Sequence, residues 1–349
     1  RLPRGRAGGG LCLAPYGGEC QRGERLMRAD TPARALWLTG PRAAALGPAE
    51  ILPGPGDCVV RTLFSGISRG TERLVFEGRV PQSEYQTMRA PMQEGDFPFP
   101  VKYGYSAVGR VEAGPEAGRI VFALHPHQTR FACAPAMAVP VPADVPPDRA
   151  VLAANMETAL NILWDAQVQP GDRVAVVGAG VVGALTGYLA ARIPGTRTCL
   201  VDIDPARAGL AEALGCDFAA PDQATGEADV VIHASASDAG LATALALAGV
   251  EATVIEASWF GTRPVSVGLG AAFHQRRLRL VASQVGRIPA HRAARWSHRR
   301  RLEAALRLLA DPALDALISG ESAFEDVAQD YARILDASDT LCHRLRYDD

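Results

Sequence analysis

The part of the sequence with the clearest chemical signature is a glycine-rich turn, Gly178-Ala179-Gly180-Val181-Val182-Gly183. It directly follows the apolar run 174–177 and opens a predicted helix, and this context makes the pattern informative. The first glycine permits a tight turn, the second lets the backbone approach a pyrophosphate, and the third lets the helix pack against the strand. The helix start at Val181 and Val182 offers N–H groups and partial positive charge to phosphates. The turn therefore predicts a bound dinucleotide, the alternative being a glycine turn without a cofactor.

Asp202 indicates which dinucleotide binds. It ends the predicted second strand, 19 residues after Gly183, where a carboxylate accepts hydrogen bonds from both ribose hydroxyls of NAD. The same charge repels the 2′-phosphate of NADP, although the nearby Arg207 keeps NADP open as the alternative. Ser235 and Ser258 follow the next two predicted strands, where loops border a cofactor. These residues predict a nicotinamide dinucleotide site that prefers NAD.

Strand and helix patterns divide the chain into two domains. Residues 33–150 carry short β-like runs separated by Gly and Pro turns, which predicts a mostly antiparallel, barrel-like domain. A proline-rich exit and a helix at 149–166 follow, and from Asp172 strands and helices alternate, which predicts a parallel sheet covered by helices on both faces. We therefore predict an α/β protein. Its expected parts are a leader at 1–30, a β-rich catalytic domain at 31–150, a doubly wound dinucleotide domain at 151–315, and a carboxy-terminal segment at 316–349 that returns to the catalytic domain.

Further motifs accompany the glycine turn. They are Pro55-Gly56-Asp57-Cys58-Val59-Val60-Arg61, Ser65-Gly66-Ile67-Ser68-Arg69-Gly70-Thr71-Glu72, Gly104-Tyr105-Ser106 followed by 108–111, and Gly171-Asp172-Arg173-Val174. With this domain order they resemble the medium-chain dehydrogenase/reductase superfamily, which is alcohol dehydrogenase-like, over most of the chain from about residue 33. The resemblance implies a GroES-like catalytic domain, a Rossmann domain, and hydride transfer to or from a nicotinamide in the cleft between them. It also places Thr158 beside the nicotinamide, a plain helix threonine being the alternative.

The zinc ligands of that family are replaced in this sequence. Zinc-dependent members have a Cys at the position of Ser68, a His-Glu pair at Tyr105-Ser106, and usually a Cys near Ala154. A serine hydroxyl and a phenol are poor zinc ligands at neutral pH, and the cysteines of a structural zinc lobe are missing as well. We therefore expect neither zinc. His125-Pro126-His127 is the only close His pair, and we interpret it as a surface turn rather than as part of a metal site.

Without zinc, a side chain must supply or accept the proton that accompanies hydride transfer. Tyr105 stands at a former ligand position, and a nearby cation would lower the pKa of its phenol. Lys102, the only lysine in the chain, lies three residues earlier. We predict Tyr105 as the general acid/base, Lys102 as the group that tunes it, and Thr71 or Ser68 as the proton relay. The alternative is a packed Tyr105 and a solvated Lys102, since strand alternation places residues 102 and 105 on opposite faces.

These residues predict an NAD(P)-dependent oxidoreductase that interconverts an alcohol and a carbonyl. Two alternatives stay open: a zinc-independent quinone or enoyl reductase, which would use NADPH, and a dinucleotide-binding sensor without catalysis. The Gly-Ile-Ser-x-Gly-Thr-Glu loop at 66–72 resembles that of bacteriochlorophyllide hydroxyethyl dehydrogenases, but a motif this short does not carry a substrate with it.

Composition limits the partners. A net charge of −2 and a pI near 6.4 give no field that attracts nucleic acid, and no apolar run is long enough for a membrane helix, so we expect a small-molecule partner. Seven scattered cysteines indicate free thiols and a cytoplasmic location.

The run His298-Arg299-Arg300-Arg301 is interpreted as a solvated helix face. The leader, with Met27 as a candidate start, is expected to be disordered or artefactual. The family resemblance suggests a homodimer or homotetramer.

Overall fold

The computed structural model describes residues 33–348, so the expected leader lies outside the described part of the chain. The first part of the described chain consists of short strands and one helix. In chain order these are β1 (Ala33–Gly40), β2 (Ala43–Ala49), β3 (Cys58–Ser68), α1 (Arg69–Phe76), β4 (Glu94–Gly95), β5 (Val101–Lys102), β6 (Ala107–Ala113), β7 (Ile120–Ala123), β8 (Arg130–Cys133) and β9 (Val139–Pro140).

The second part alternates strands and helices and ends in a short returning segment. A long helix, α2 (Ala153–Ala166), comes first. The remaining elements are β10 (Arg173–Val177), α3 (Val181–Ala190), β11 (Arg197–Val201), α4 (Arg207–Leu214), β12 (Asp217–Ala219), β13 (Ala228–His233), α5 (Asp238–Leu247), β14 (Ala248–Glu256), β15 (Arg279–Ala282), α6 (Ala290–Ala293), α7 (His298–Leu308), β16 (Ile318–Ala323), α8 (Val327–Asp336) and β17 (Cys342–Arg346).

Two sheets build the β-rich domain. A seven-stranded sheet runs in the order β16-β17-β3-β6-β7-β9 with β8 also paired to β3, and a four-stranded sheet runs β2-β1-β5-β4. The strand β17 pairs antiparallel with β3, and Cys342 lies opposite Ser68. The end of the chain is therefore built into the domain that carries Ser68 and Tyr105.

The third sheet is parallel throughout. Its order is β12-β11-β10-β13-β14-β15, the 3-2-1-4-5-6 order of a doubly wound dinucleotide fold. The order reverses between β10 and β13, and ligands of such sheets bind in the crevice at the carboxyl ends of these two strands. The glycine turn leaves β10 at that position.

The helix α2 joins the two domains. One buried cluster contains Val108 and Phe122 of the β-rich domain, Met156 of α2 and Leu185 of α3. Where α7 packs on α2, Arg301 is 1% exposed. It donates to Oε1 of Glu157 at 3.0 Å, to the side chain of Asn161, and to the carbonyl of Val285.

Part of the expectation for the run at 298–301 was therefore wrong. Arg299 and Arg300 are exposed or partly exposed, whereas Arg301 points inward and joins α7 to α2. The periodicity of a helix places every third or fourth residue on its inner face. A charge there is tolerated because Glu157 and two oxygen acceptors satisfy it.

Replacing Arg301 by Ala should lower the free energy of unfolding by about 3–5 kcal/mol, because the carboxylate of Glu157 stays buried without its cation. Urea denaturation measures the change. Arg307→Ala, at an exposed position of the same helix, is the matched control and should cost less than about 1 kcal/mol. Similar small losses for both variants would contradict the role given to Arg301.

Candidate active site

The glycine turn has the geometry of a phosphate cradle. A Cβ on Gly178, whose φ is +105°, would lie 2.7 Å from the backbone N of Ser235, and a Cβ on Gly183 would lie 1.9 Å from the carbonyl of Gly178. These two positions accept only glycine. A Cβ on Gly180 would meet no atom within 4 Å, so the backbone there faces open space. The turn is closed where it packs on the protein and open where a pyrophosphate would lie, so its shape fits a dinucleotide.

Asp202 lies at the carboxyl end of β11, next to this turn. Its Oδ2 accepts from the backbone N of Ala179 at 2.6 Å and its Oδ1 from the backbone N of Asp204 at 2.9 Å. The carboxylate is partly exposed, so it can also accept from a ribose. Arg207 is engaged elsewhere: it donates to the carbonyl of Ser338 at 2.8 Å and lies 3.6 Å from Asp204.

The loops after β13 and β14 are joined by a chain of hydrogen bonds. The buried imidazole of His233 lies 2.7 Å from Oε2 of Glu256 through Nδ1 and 2.7 Å from the hydroxyl of Ser235 through Nε2. Ser235 in turn lies 2.9 Å from the hydroxyl of Ser237. The other oxygen of Glu256 accepts from the backbone N of Ser258 at 2.8 Å. Ser235 and Ser258 are thus held by one carboxylate, and the backbone of Ser235 borders the glycine turn.

Tyr105 and Ser68 meet in the β-rich domain. The phenol donates to Oγ of Ser68 at 2.5 Å, and Nδ2 of Asn155, on α2, lies 3.5 Å from the same oxygen. Burial raises the pKa of Tyr105 to about 12, against the opposing effect of hydrogen bonds to Ser68 and Thr71. The phenol is therefore neutral at ordinary pH and acts as a proton donor.

Lys102 does not take part in this arrangement. Its ammonium is completely buried, donates to Glu94 and Gln128, and lies 5.9 Å from the centroid of the Trp37 ring. The expectation that it lowers the pKa of Tyr105 does not agree with the structure, because the two side chains bond to different partners and that pKa is raised. The alternative of a solvated Lys102 does not hold either.

A buried carboxylate next to Ser68 is not among the site residues predicted from the sequence. Glu72 is 0% exposed and accepts from the backbone N of Ser68 at 2.7 Å, from Nε2 of His127 at 3.0 Å and from the phenol of Tyr331 at 2.6 Å. On its other side, His127 lies 2.7 Å from the hydroxyl of Ser65. The only sequence signal was the position of Glu72 in the quoted loop motif, on a helix whose other inward residues are apolar.

The interpretation of His125-Pro126-His127 as a surface turn was wrong. Both imidazoles are buried, with 2% exposure for His125 and 0% for His127. They belong to the interior of the β-rich domain, where His127 bonds Glu72. In residues 33–348 no cluster of three or more His, Cys, Asp or Glu side chains is placed to hold a metal ion.

The remaining residues of the predicted site lie on or next to α2. The hydroxyl of Thr158 donates to the carbonyl of Ala154 at 2.9 Å, within its own helix. Ser106 donates to the carbonyl of Val151, so neither of the former ligand positions Ser106 and Ala154 presents a metal-binding atom. That Thr158 borders the nicotinamide, and that zinc is absent from the protein, stay predictions.

Solved structures share this architecture over nearly the whole chain. L-idonate 5-dehydrogenase from Escherichia coli K-12 superposes with a TM-score of 0.75 over 90% of this chain and 98% of that chain, at 16% identity. A short chain alcohol dehydrogenase from Escherichia coli CFT073, complexed with NADH, gives a TM-score of 0.72 over 90% and 99%, also at 16% identity. The chain has the medium-chain dehydrogenase/reductase fold. The predicted α/β class, a GroES-like domain with a Rossmann domain, is confirmed.

Sequence similarity to curated proteins is more local. A 2-desacetyl-2-hydroxyethyl bacteriochlorophyllide A dehydrogenase from Cereibacter sphaeroides is 38% identical over 89 residues, which cover 24% of this chain and 24% of that protein. The match thus spans about a quarter of the relative's length. No family model matches the sequence. In residues 33–348 no helix is both long and apolar enough to span a membrane.

Substitution of Gly180, the open position of the glycine turn, tests the dinucleotide site directly. Gly180→Ala should fold as the unchanged protein does, yet bind NADH and NADPH at least about tenfold more weakly, because its methyl group occupies the space of the pyrophosphate. Fluorescence titration measures the affinity.

Gly209→Ala, at a helical position that is also open, controls for the added methyl group and should bind as before. Undiminished affinity in Gly180→Ala would show that no pyrophosphate lies against this turn.

Proposed function

We propose that this protein is an NAD-dependent oxidoreductase that interconverts an alcohol and a carbonyl, with Tyr105 and Ser68 supplying the proton. The observation that carries the proposal is the 2.5 Å hydrogen bond from the neutral phenol of Tyr105 to Ser68, at the former zinc position of this fold. The open cradle at Gly180 and the shared fold with an NADH-complexed dehydrogenase support it.

Each part of the proposed site has its own task. The turn around Gly180 and the carboxylate of Asp202 would hold the dinucleotide, which supplies or accepts the hydride when bound. Tyr105 already donates its proton to Oγ of Ser68, so the proton of the Ser68 hydroxyl is directed elsewhere. Ser68 can therefore donate to a substrate oxygen while Tyr105 replaces the proton. Asn155 and Glu72 fix the position of Ser68.

The preference for NAD follows from two residues. Asp202 places a negative charge where the ribose hydroxyls lie, and the guanidinium of Arg207 is 12% exposed and already bonds Asp204 and Ser338. A 2′-phosphate would have to displace these contacts. The quinone or enoyl reductase alternative needs NADPH and is less well supported for that reason. The sensor alternative keeps the dinucleotide site but assigns no chemistry to Tyr105.

Tyr105→Phe should lower kcat about 10²- to 10⁴-fold, the usual contribution of a general acid, and leave the affinity for NADH unchanged. The assay panel begins with secondary alcohols and their ketones, because a hydroxyethyl group appears in the name of the matched relative. Tyr103→Phe is the matched control, since its ring centroid lies 6.1 Å from that of Tyr105 and its hydroxyl has no assigned role.

The pH profile adds a second criterion. Because the pKa of Tyr105 is raised to about 12, its proton is present throughout the neutral range, and ketone reduction should not decline with the ionisation of an ordinary phenol near pH 10. If the protein binds the dinucleotide but converts no alcohol or ketone of the panel, the result favours the alternative of a dinucleotide-binding sensor. If Tyr105→Phe retains full activity, another group moves the proton.

We also propose that two copies of the chain associate through β15. This strand is the edge of the parallel sheet, and all four of its residues are exposed, including Leu280 at 38% and Val281 at 40%. An exposed apolar edge strand is a template for pairing with another chain, and a symmetric dimer would cover it. The cytoplasmic location expected from the thiols stays a prediction.

Val281→Lys should convert the dimer to a monomer, because it places a charge in the interface, and light scattering would record the halved mass. Leu52→Lys, which changes a residue 78% exposed in the β-rich domain, is the control and should leave the mass unchanged. If the protein without any substitution is a monomer in solution, the proposed association is wrong.

A further inference from the structure

The β-rich domain contains a cavity that the proposed reaction does not use. Its volume is about 420 Å³, within the range of small-ligand sites. Apolar walls come from Trp37, Leu52, Met92 and Phe131. Its polar lining residues are Glu50, Glu94, His125 and Gln128.

His125 presents an unused hydrogen-bond acceptor in this wall. The side chain is 2% exposed and its ring stacks on Phe131 with centroids 3.9 Å apart. Nδ1 lies 2.9 Å from the carbonyl of Pro126, and since a carbonyl only accepts, the ring proton sits on Nδ1. Nε2 is then a lone-pair acceptor, and none of the side-chain hydrogen bonds found among residues 33–348 ends on it. Burial lowers the pKa of His125 to about 3, so this acceptor persists at working pH.

The charges around the cavity favour a cation. Glu94 and Glu50 are two carboxylates in its lining, and the buried ammonium of Lys102 bonds Glu94 and neutralises one of them. Gln128 offers little to a ligand, because its oxygen accepts from Lys102 and its nitrogen donates to the carbonyl of Arg130. The two carboxylates exceed the single ammonium by one negative charge, and Lys102 bonds Oε1 of Glu94, which leaves Oε2 of Glu94 as a further acceptor in the lining.

We propose that this cavity binds an organic ammonium ion, a protonated amine carried on a small apolar or aromatic body. The ammonium donates to Nε2 of His125 and to the carboxylate of Glu94, and the body packs against Trp37, Met92 and Phe131. Neutral or anionic molecules of the same shape lack either the donors or the charge that this lining requires.

The site is separate from the oxidoreductase chemistry. Gln128 and His127 are neighbours in the chain, yet Gln128 bonds Lys102 at the cavity while His127 bonds Glu72 below Ser68. None of the residues that line the cavity is among the partners of Tyr105 and Ser68. The proposal stands whether or not the proposed reaction is correct.

Calorimetric titration of the full chain with benzylamine, benzyl alcohol and benzoate near neutral pH tests this site. Benzylamine should bind at least about tenfold more tightly than the other two. His125→Phe keeps the stacked ring but removes the acceptor, and Glu94→Gln keeps an acceptor for Lys102 but removes the charge. Each should weaken benzylamine binding about tenfold or more, whereas Tyr105→Phe and the exposed Glu212→Gln should not change it.

Equal binding of the three probes would show an unselective apolar cavity and overturn the proposal. So would the absence of benzylamine binding, or binding that survives unweakened in either cavity variant. Circular dichroism of His125→Phe and Glu94→Gln verifies that each variant is folded, and either folded variant alone is sufficient to decide.

Discussion

The arrangement of the β-rich domain depends on the hydrogen bonds that the buried carboxylate of Glu72 accepts. It draws together three parts of the chain, the start of α1 at Ser68, the segment of His127 and the helix of Tyr331. A buried carboxylate that lost these partners would cost several kcal/mol, so the three parts have one favourable arrangement. Since Ser68 is among them, the hydroxyl that accepts the hydrogen bond of Tyr105 is positioned by a carboxylate that is itself fully buried.

In the dinucleotide domain a carboxylate likewise fixes neighbouring segments of the chain through hydrogen bonds. Loops at the carboxyl edge of a parallel sheet have few apolar neighbours to fix them, and here Glu256 holds the loop after β13 through His233 and the loop after β14 through Ser258. Each domain thus contains a chain of carboxylate, imidazole and hydroxyl groups. In both, the carboxylate also accepts from the backbone N of a serine of the proposed site, Ser68 in one domain and Ser258 in the other.

Local features of the sequence predicted the fold, and they also led to the dinucleotide part of the candidate site. The turn at 178–183 and Asp202 are defined by spacing along one strand, helix and strand, so periodicity was sufficient to find them. Glu72 and Tyr331 are 259 residues apart, and Arg301 and Glu157 are 144 apart. Nothing local distinguishes such residues from solvated charges, because their partners come from elements that are distant in the chain and meet only when each domain packs. Lys102 failed as a predicted partner of Tyr105 for this reason.

The raised pKa of Tyr105 also bears on the direction of the proposed reaction. Because its pKa is raised to about 12, Tyr105 is protonated at neutral pH, which is the state that the proposed carbonyl reduction needs in order to begin. Alcohol oxidation requires the reverse, a phenolate that first accepts the proton, and burial disfavours that charged form. A metal lowers the pKa of a bound alcohol and so assists oxidation. With Ser68 and Tyr105 at the ligand positions, the electrostatics of the site favour reduction of a carbonyl at neutral pH.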